Sequence, residues 1–242
     1  MTLTPLHDDL LFNGPLSSYR ADLLLRSLGP LDGQHVVDLG CGWADLLLRA
    51  VAAGATGHGV DQDAEAIAHG RKVAVDRGLA DRVTLDVGDA GAWTGSADVL
   101  IVNGASQVFG GEPLTHTVNA LEAGRRILRP GGRLLLGEGF WEREPTAAQL
   151  AVMPIEREQY GSVADLVDLA LAHGYQLQWL SQASQDDWDE FESAHALGYV
   201  RHLQAHPDDT EVRARADRQR TWRLHGWRGV LGMVYLTLVL PL

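Results

Sequence analysis

The chain has 242 residues, 45% of them hydrophobic, enough for one large α/β domain with a proper core, and no repeat or low-complexity linker divides it. Acidic residues outnumber basic ones 32 to 20, a formal charge of −12, and Lys and Arg nowhere interleave with aromatics into a phosphate-tracking stripe, so nucleic acid is not an expected partner. The single Cys41 excludes an internal disulfide, no compact His and carboxylate cluster suggests a metal, and the longest apolar run, 230–240, is too short and β-rich to span a bilayer; with no leader-like start, a cytoplasmic protein is expected.

The opening residues are polar and broken by proline, and then offer a helix in which Ser17 and Ser18 are candidate caps and Leu23, Leu24 and Leu28 share a face. The stretch 35–50, HVVDLGCGWADLLLRA, follows. Its β-branched pair Val36 and Val37 leads to Asp38, then Gly40 and Gly42, then leucines at helical spacing: strand, tight glycine turn, helix. Glycines at 40 and 42 permit positive φ and let a ligand approach the backbone, while the helix start aims unpaired N–H groups at it.

A dinucleotide fingerprint would need glycine or alanine at position 45, where Asp45 stands and would repel a pyrophosphate. The arrangement D-x-G-x-G-x-A, with Asp38, Gly40, Gly42 and Ala44, suits instead a ligand carrying a sulfonium cation and an amino-acid group. It resembles motif I of the class I S-adenosylmethionine-dependent methyltransferases.

A second strand, 56–60, ends in Asp61, about 20 residues past the glycines, the offset at which a carboxylate meets ribose hydroxyls. Gln62 adjoins it as a further cofactor contact, and Asp63 caps a helix whose spacing runs through Ala64, Ile67, Ala68, Val75 and Leu79. The third strand, 83–87, leads to Asp89, Ala90 and Trp93, suited to the adenine amine, ring edge and ring face respectively. Three acids after three consecutive strands, Asp38, Asp61 and Asp89, form a more specific constellation than any one of them.

The nearly continuous apolar segment before Asn103 is a central parallel strand, and its exit, 103–111, offers Asn103 to the cofactor and Ser106, Gln107 and Phe109 to a substrate. A helix over 113–128 and LRPGGRLLLGEG, a turn and fifth strand, come next. The stretch 137–145 then places Glu138, Phe140, Trp141, Glu142 and Arg143 just past a strand end, where Phe140 and Trp141 suit an amine or aromatic substrate and Glu138 is a candidate base. A helix with Val163, Leu166, Val167, Ala170 and Leu171, a sixth strand in YQLQWL, and a charged helical stretch complete the chain before the last strand. In that stretch Trp188, Phe191, His195 and Tyr199 share one face, and Arg223, Trp227 and Arg228 either bind an anionic group or pair with acids.

VVDLGCGWADLLL, GVDQD, GDAGAW, LRPGGRLLLGEGFWEREPT, DDWDEFE and WRGVLGMVYLTL together resemble one bacterial group of small class I S-adenosylmethionine-dependent methyltransferases over almost the whole chain. The resemblance implies a single domain, 1–242, built on a doubly wound, mostly parallel seven-stranded sheet of Rossmann-like kind. It implies an N-terminal lid over 1–34, in which His7, Phe12, Asn13 and Tyr19 are candidates to close over the ligands, Tyr19 as a substrate contact and His7 as a base. It also implies a substrate-recognition insertion over 184–228, with Trp227 as a contact. Relatives carry a histidine where Gln107 stands, so a base at the fourth-strand exit does not carry over. The expected activity is methyl transfer from S-adenosyl-L-methionine to a small molecule, with the acceptor and the oligomeric state left open. Cofactor-dependent cyclisation, a nicotinamide oxidoreductase and a non-catalytic scaffold are the competing readings, the last two weakened by Asp45 and by the intact glycine and acid positions.

Overall fold

The computed structural model describes residues 10–112 and 115–242. Seven strands, β1 (His35–Leu39), β2 (Thr56–Asp61), β3 (Val83–Val87), β4 (Ala97–Asn103), β5 (Leu128–Trp141), β6 (Gln176–Gln182) and β7 (Leu231–Val239), form one sheet in the order β3-β2-β1-β4-β5-β7-β6. The pairings among β1 to β5 are parallel, whereas β7 runs antiparallel between β5 and β6. The order reverses between β1 and β4, which makes the crevice at their carboxyl ends the place where an open α/β sheet binds ligands.

Central strands covered on both faces account for the two main cores. One contains Val37, Leu100, Val102, Leu134, Leu136 and Leu236; the other contains Val36, Val99, Ile101, Leu135 and Tyr235 with α1 (Ser18–Ser27) and α2 (Asp45–Ala52). Neighbouring residues of each strand alternate between them, the period-2 pattern of a pleated strand. Helix α1 is capped by Ser17, whose hydroxyl accepts from the Arg20 amide, and it buries Ala21, Leu24 and Leu25, followed by Leu28.

Three elements depart from expectation. Helix α3 (Ala64–Asp76), capped by Asp63 as expected, buries Ala66, Ile67, Gly70 and Ala74, and Val75 is exposed: the inward face is rotated toward the smaller residues because Gly70 packs directly on the Trp43 backbone. Helix α4 (His116–Ile127) starts later than expected, and residues 113–114 lie outside the described residues. Strand β5 does not stop at Gly139 but continues to Trp141, held by β7 through the pairs Gly139 with Met233, Phe140 with Gly232 and Trp141 with Leu231.

After α5 (Ala147–Leu150) and α6 (Val163–Ala172), the chain leaves the sheet at Gln182 and returns at Leu231. Between lie α7 (Gln185–Ala205), α8 (Thr210–Thr221) and a π turn, Trp222–Trp227. Because β7 begins opposite the end of β5, this excursion starts and finishes on the carboxyl edge of the parallel strands. Its first turn is tied to the N-terminal region: Asp187, held below the usual carboxylate range despite its burial by hydroxyl and amide bonds and by Arg20, accepts from Arg20 Nε at 2.9 Å. Among the described residues no helix is long and apolar enough to cross a membrane.

Candidate cofactor and active site

The turn after β1 is built from backbone that only its glycines accept easily. The amides of Gly40 and Cys41 both donate to the Val60 carbonyl, at 2.9 and 3.2 Å, which folds the chain back over the end of β2. Gly40 has φ +79°, and a Cβ there would lie 2.4 Å from Cβ of Ala105. Gly42 has φ +55°, and a Cβ there would meet nothing within 4 Å. Gly40 is thus required by packing against the β4 exit, while Gly42 faces open space. Ala44, the N-cap of α2, sits at φ +62°, a left-handed conformation that costs a non-glycine residue roughly 1–2 kcal/mol.

The expected acids gather here. Asp61 accepts from the Gly42 amide at 2.7 Å through one oxygen and from the Asp63 amide at 2.9 Å through the other, so its carboxylate is oriented before any ligand arrives. Asp89 is fixed by the Gly91 amide at 2.9 Å. Asp38 ends β1 almost fully buried, and that burial, with the Asp61 charge nearby, pushes its carboxyl up to about 8. Asn103 Oδ1, at the end of β4, is buried without a hydrogen-bond partner.

These groups line one cavity of about 520 Å³, which brings together Asp38, Gly40, Gly42, Asp61, Gln62 and Asp89 with Ala90, Asn103 and Gln107. From the N-terminal region Phe12 and Asn13 also line it. Several lining residues escaped sequence reasoning: Cys41, Trp43, Leu46 and Val108. Trp43 had a local signal, since it lies between Gly42 and Ala44, and its Nε1 donates to the Leu11 carbonyl at 2.8 Å, tying the N-terminal segment to the glycine turn. Arg49 stacks over Phe12 at 5.3 Å and strengthens the same contact. Burial pushes the Cys41 thiol far up, which keeps it protonated.

Asp45 corrects one argument. It lines the cavity, but Arg49 Nε at 2.8 Å and Arg77 Nη2 at 2.6 Å neutralise it, so the case against a pyrophosphate rests on the missing third glycine rather than on free charge.

The other candidates are placed elsewhere. Trp93 packs on the core beside His58, with ring centroids 5.7 Å apart, and does not line the cavity. Phe140 and Trp141, expected on a loop, belong to β5: Phe140 is buried against Gly232, and Trp141 is buried with Met153 and Val230 while its Nε1 donates to the Arg157 carbonyl at 2.8 Å. Phe109 faces a neighbouring hollow shared with Asn119 and Arg126, and Tyr19 is 71% exposed. Trp227 Nε1 donates to Glu192 at 2.9 Å, and Arg223 and Arg228 both bind Asp189, so these residues pair with acids. Ser106 and Glu138 are buried behind the cavity wall, and the expectation of Glu138 as a base is not met by that placement. His7 lies outside the described residues.

This strand order, with a glycine turn and acids at the exits of β1, β2 and β3, defines a class I S-adenosylmethionine-dependent methyltransferase. Residues 30–190 match the family model described as "Methyltransferase domain", and the chain belongs to that family. It is 30% identical over 210 residues to the protein YjhP of Escherichia coli K12, covering 84% of this chain and 83% of that one. A methyltransferase structure from Geobacter sulfurreducens, in complex with S-adenosyl-L-homocysteine, superposes with a TM-score of 0.87 at 29% identity, covering 97% of this chain and 96% of the other. One from Thiobacillus denitrificans, in complex with the same product, gives 0.86 at 26% identity, covering 98% and 99%.

Proposed function

We propose that the enzyme methylates a small-molecule acceptor, and that the cavity beside the glycine turn holds the cofactor. The observation that carries this is the convergence of Asp38, Asp61 and Asp89 on one cavity beside Gly42. When bound, the cofactor supplies a methyl group on a positively charged sulfur. Asp61, already oriented by two amides, keeps lone pairs for the two ribose hydroxyls. Asp89 and the Ala90 backbone would hold the adenine edge, with Gln62 and Asn103 lining the cavity beside them. Asp38, protonated up to about pH 8 while it is buried beside Asp61, would be drawn toward its ionised form by a cation in the cavity.

Phe12 and Trp43 add apolar surface to the cavity lining, a surround that would leave a bound cation less solvated and so favour the displacement. Gln107 is the acceptor candidate that lines the cavity, so the acceptor enters between the 103–109 turn and the N-terminal segment. A net charge of −12 without a basic stripe supports a small acceptor over a nucleic acid. Mass spectrometry of molecules copurified with the protein, followed by transfer of a labelled methyl group to a metabolite library, tests both halves. Labelling of a small metabolite is expected; label found only on protein or nucleic acid would overturn the acceptor class.

A further inference from the structure

Glu138 is a buried carboxylate that the proposed site does not use. It is 5% exposed on β5, outside the cavity lining; it accepts from the Thr117 hydroxyl at 3.3 Å and interacts with the Ser106 hydroxyl. Burying a carboxylate costs more than burying an apolar side chain of the same size, so stability alone gives no reason for a glutamate here. Its two partners mark the ends of the connection from β4 to α4: Ser106 opens the 3-10 turn Ser106–Phe109, and Thr117 lies in the first turn of α4.

The chain on both sides of Ser106 forms a wall of the cavity, Asn103, Gly104 and Ala105 before it and Gln107 and Val108 after it. Residues beside Glu138 hold the same segment through the backbone, since the Gly104 amide donates to the Gly137 carbonyl at 2.9 Å. Ala105 in turn abuts the glycine turn so closely that a Cβ on Gly40 would reach it at 2.4 Å. A shift of Ser106 therefore moves Ala105 against Gly40. Tyr160, packed over Gly139, covers the strand next to the carboxylate.

We propose that Glu138 is a positioning residue which, through Ser106 and Thr117, holds the β4-exit turn at the spacing from the glycine turn that cofactor binding requires. The inference rests on the cavity being the cofactor site. A glutamine keeps an acceptor and adds a donor that a serine hydroxyl can take, so it preserves the clamp without the charge. A leucine removes both bonds while relieving the buried carboxylate.

Titration calorimetry with S-adenosylhomocysteine on the folded wild type, Glu138→Gln, Glu138→Leu and Ser106→Ala tests this, with thermal melts run alongside. Glu138→Gln is expected to bind within about twofold of wild type, and Glu138→Leu and Ser106→Ala roughly tenfold more weakly, whichever way their melting temperatures move. A folded Glu138→Leu protein that binds as tightly as wild type would overturn the inference, as would a Glu138→Gln protein as weak as the leucine variant. If the leucine variant does not fold, unchanged affinity in Ser106→Ala decides against it. A wild type that does not bind S-adenosylhomocysteine brings down the cavity assignment itself, and this inference with it.

Discussion

The Gly42 amide donates a 2.7 Å hydrogen bond to the Asp61 carboxylate, joining the turn after β1 to the exit of β2. The same carboxylate is thus both a support of the glycine turn and the expected ribose ligand. Replacing Asp61 with alanine removes two charge-assisted bonds to ligand and frees the turn, at roughly 1.5–3 kcal/mol for each bond lost. Isothermal titration of Asp61→Ala with S-adenosylhomocysteine is expected to show at least a hundredfold weaker binding, on the order of 3 kcal/mol. Wild-type affinity would remove Asp61 from the site.

The two turn glycines are expected to respond differently. A side chain at Gly42 enters open space on the cavity wall, so Gly42→Val blocks the ligand and costs only the roughly 1–2 kcal/mol of a left-handed backbone. Gly40→Val meets Ala105 as well, and is expected to lower the melting temperature far more. Circular dichroism melts paired with ligand titration separate them; equal loss of stability in both would contradict the packing of Gly40.

Asp38, raised to about 8, and Glu138, raised to about 7, both chiefly by burial, hold their protons more tightly folded than unfolded. Unfolded carboxyls titrate near about 4, so the stability these groups permit is full below that pH and falls as pH rises through about 7 to 8. Asp189, held down to about 2 first by its Arg228 bond and then by Arg223, titrates below this window and does not offset the trend. Urea unfolding is expected to give lower stability at alkaline than at mildly acidic pH, and Asp38→Asn to flatten the dependence by several kcal/mol, at about 1.4 kcal/mol per pKa unit. An unchanged profile in Asp38→Asn would mean that its carboxyl is already ionised in the folded protein.

Trp141 is buried in β5, in an edge contact with Tyr160 at 5.5 Å between ring centroids. Trp141→Ala is expected to cost about 3–5 kcal/mol of stability while leaving the affinity of the folded fraction for S-adenosylhomocysteine intact. Chemical unfolding and ligand titration on the same preparation check this. Intact stability with lost methyl transfer would instead return Trp141 to the acceptor site.

Much of the candidate site was legible in the sequence, because its determinants are local. A β-branched strand, glycines at the positions that must turn or admit a ligand, and an acid at each of three successive strand exits are all set by short-range pattern, and Asp38, Gly42, Asp61 and Asp89 do line one cavity. Contacts between distant segments were decided only by the tertiary structure. The pairing of β5 with β7 carries Phe140 and Trp141 into the core; Arg77 and Arg49 neutralise Asp45; Trp43 fastens the N-terminal segment through Leu11; and Ser106 and Thr117 converge on Glu138. A charged or aromatic residue near a strand end has the same local sequence whether it faces a ligand or a partner strand, and its burial and partners follow from which elements pack over it.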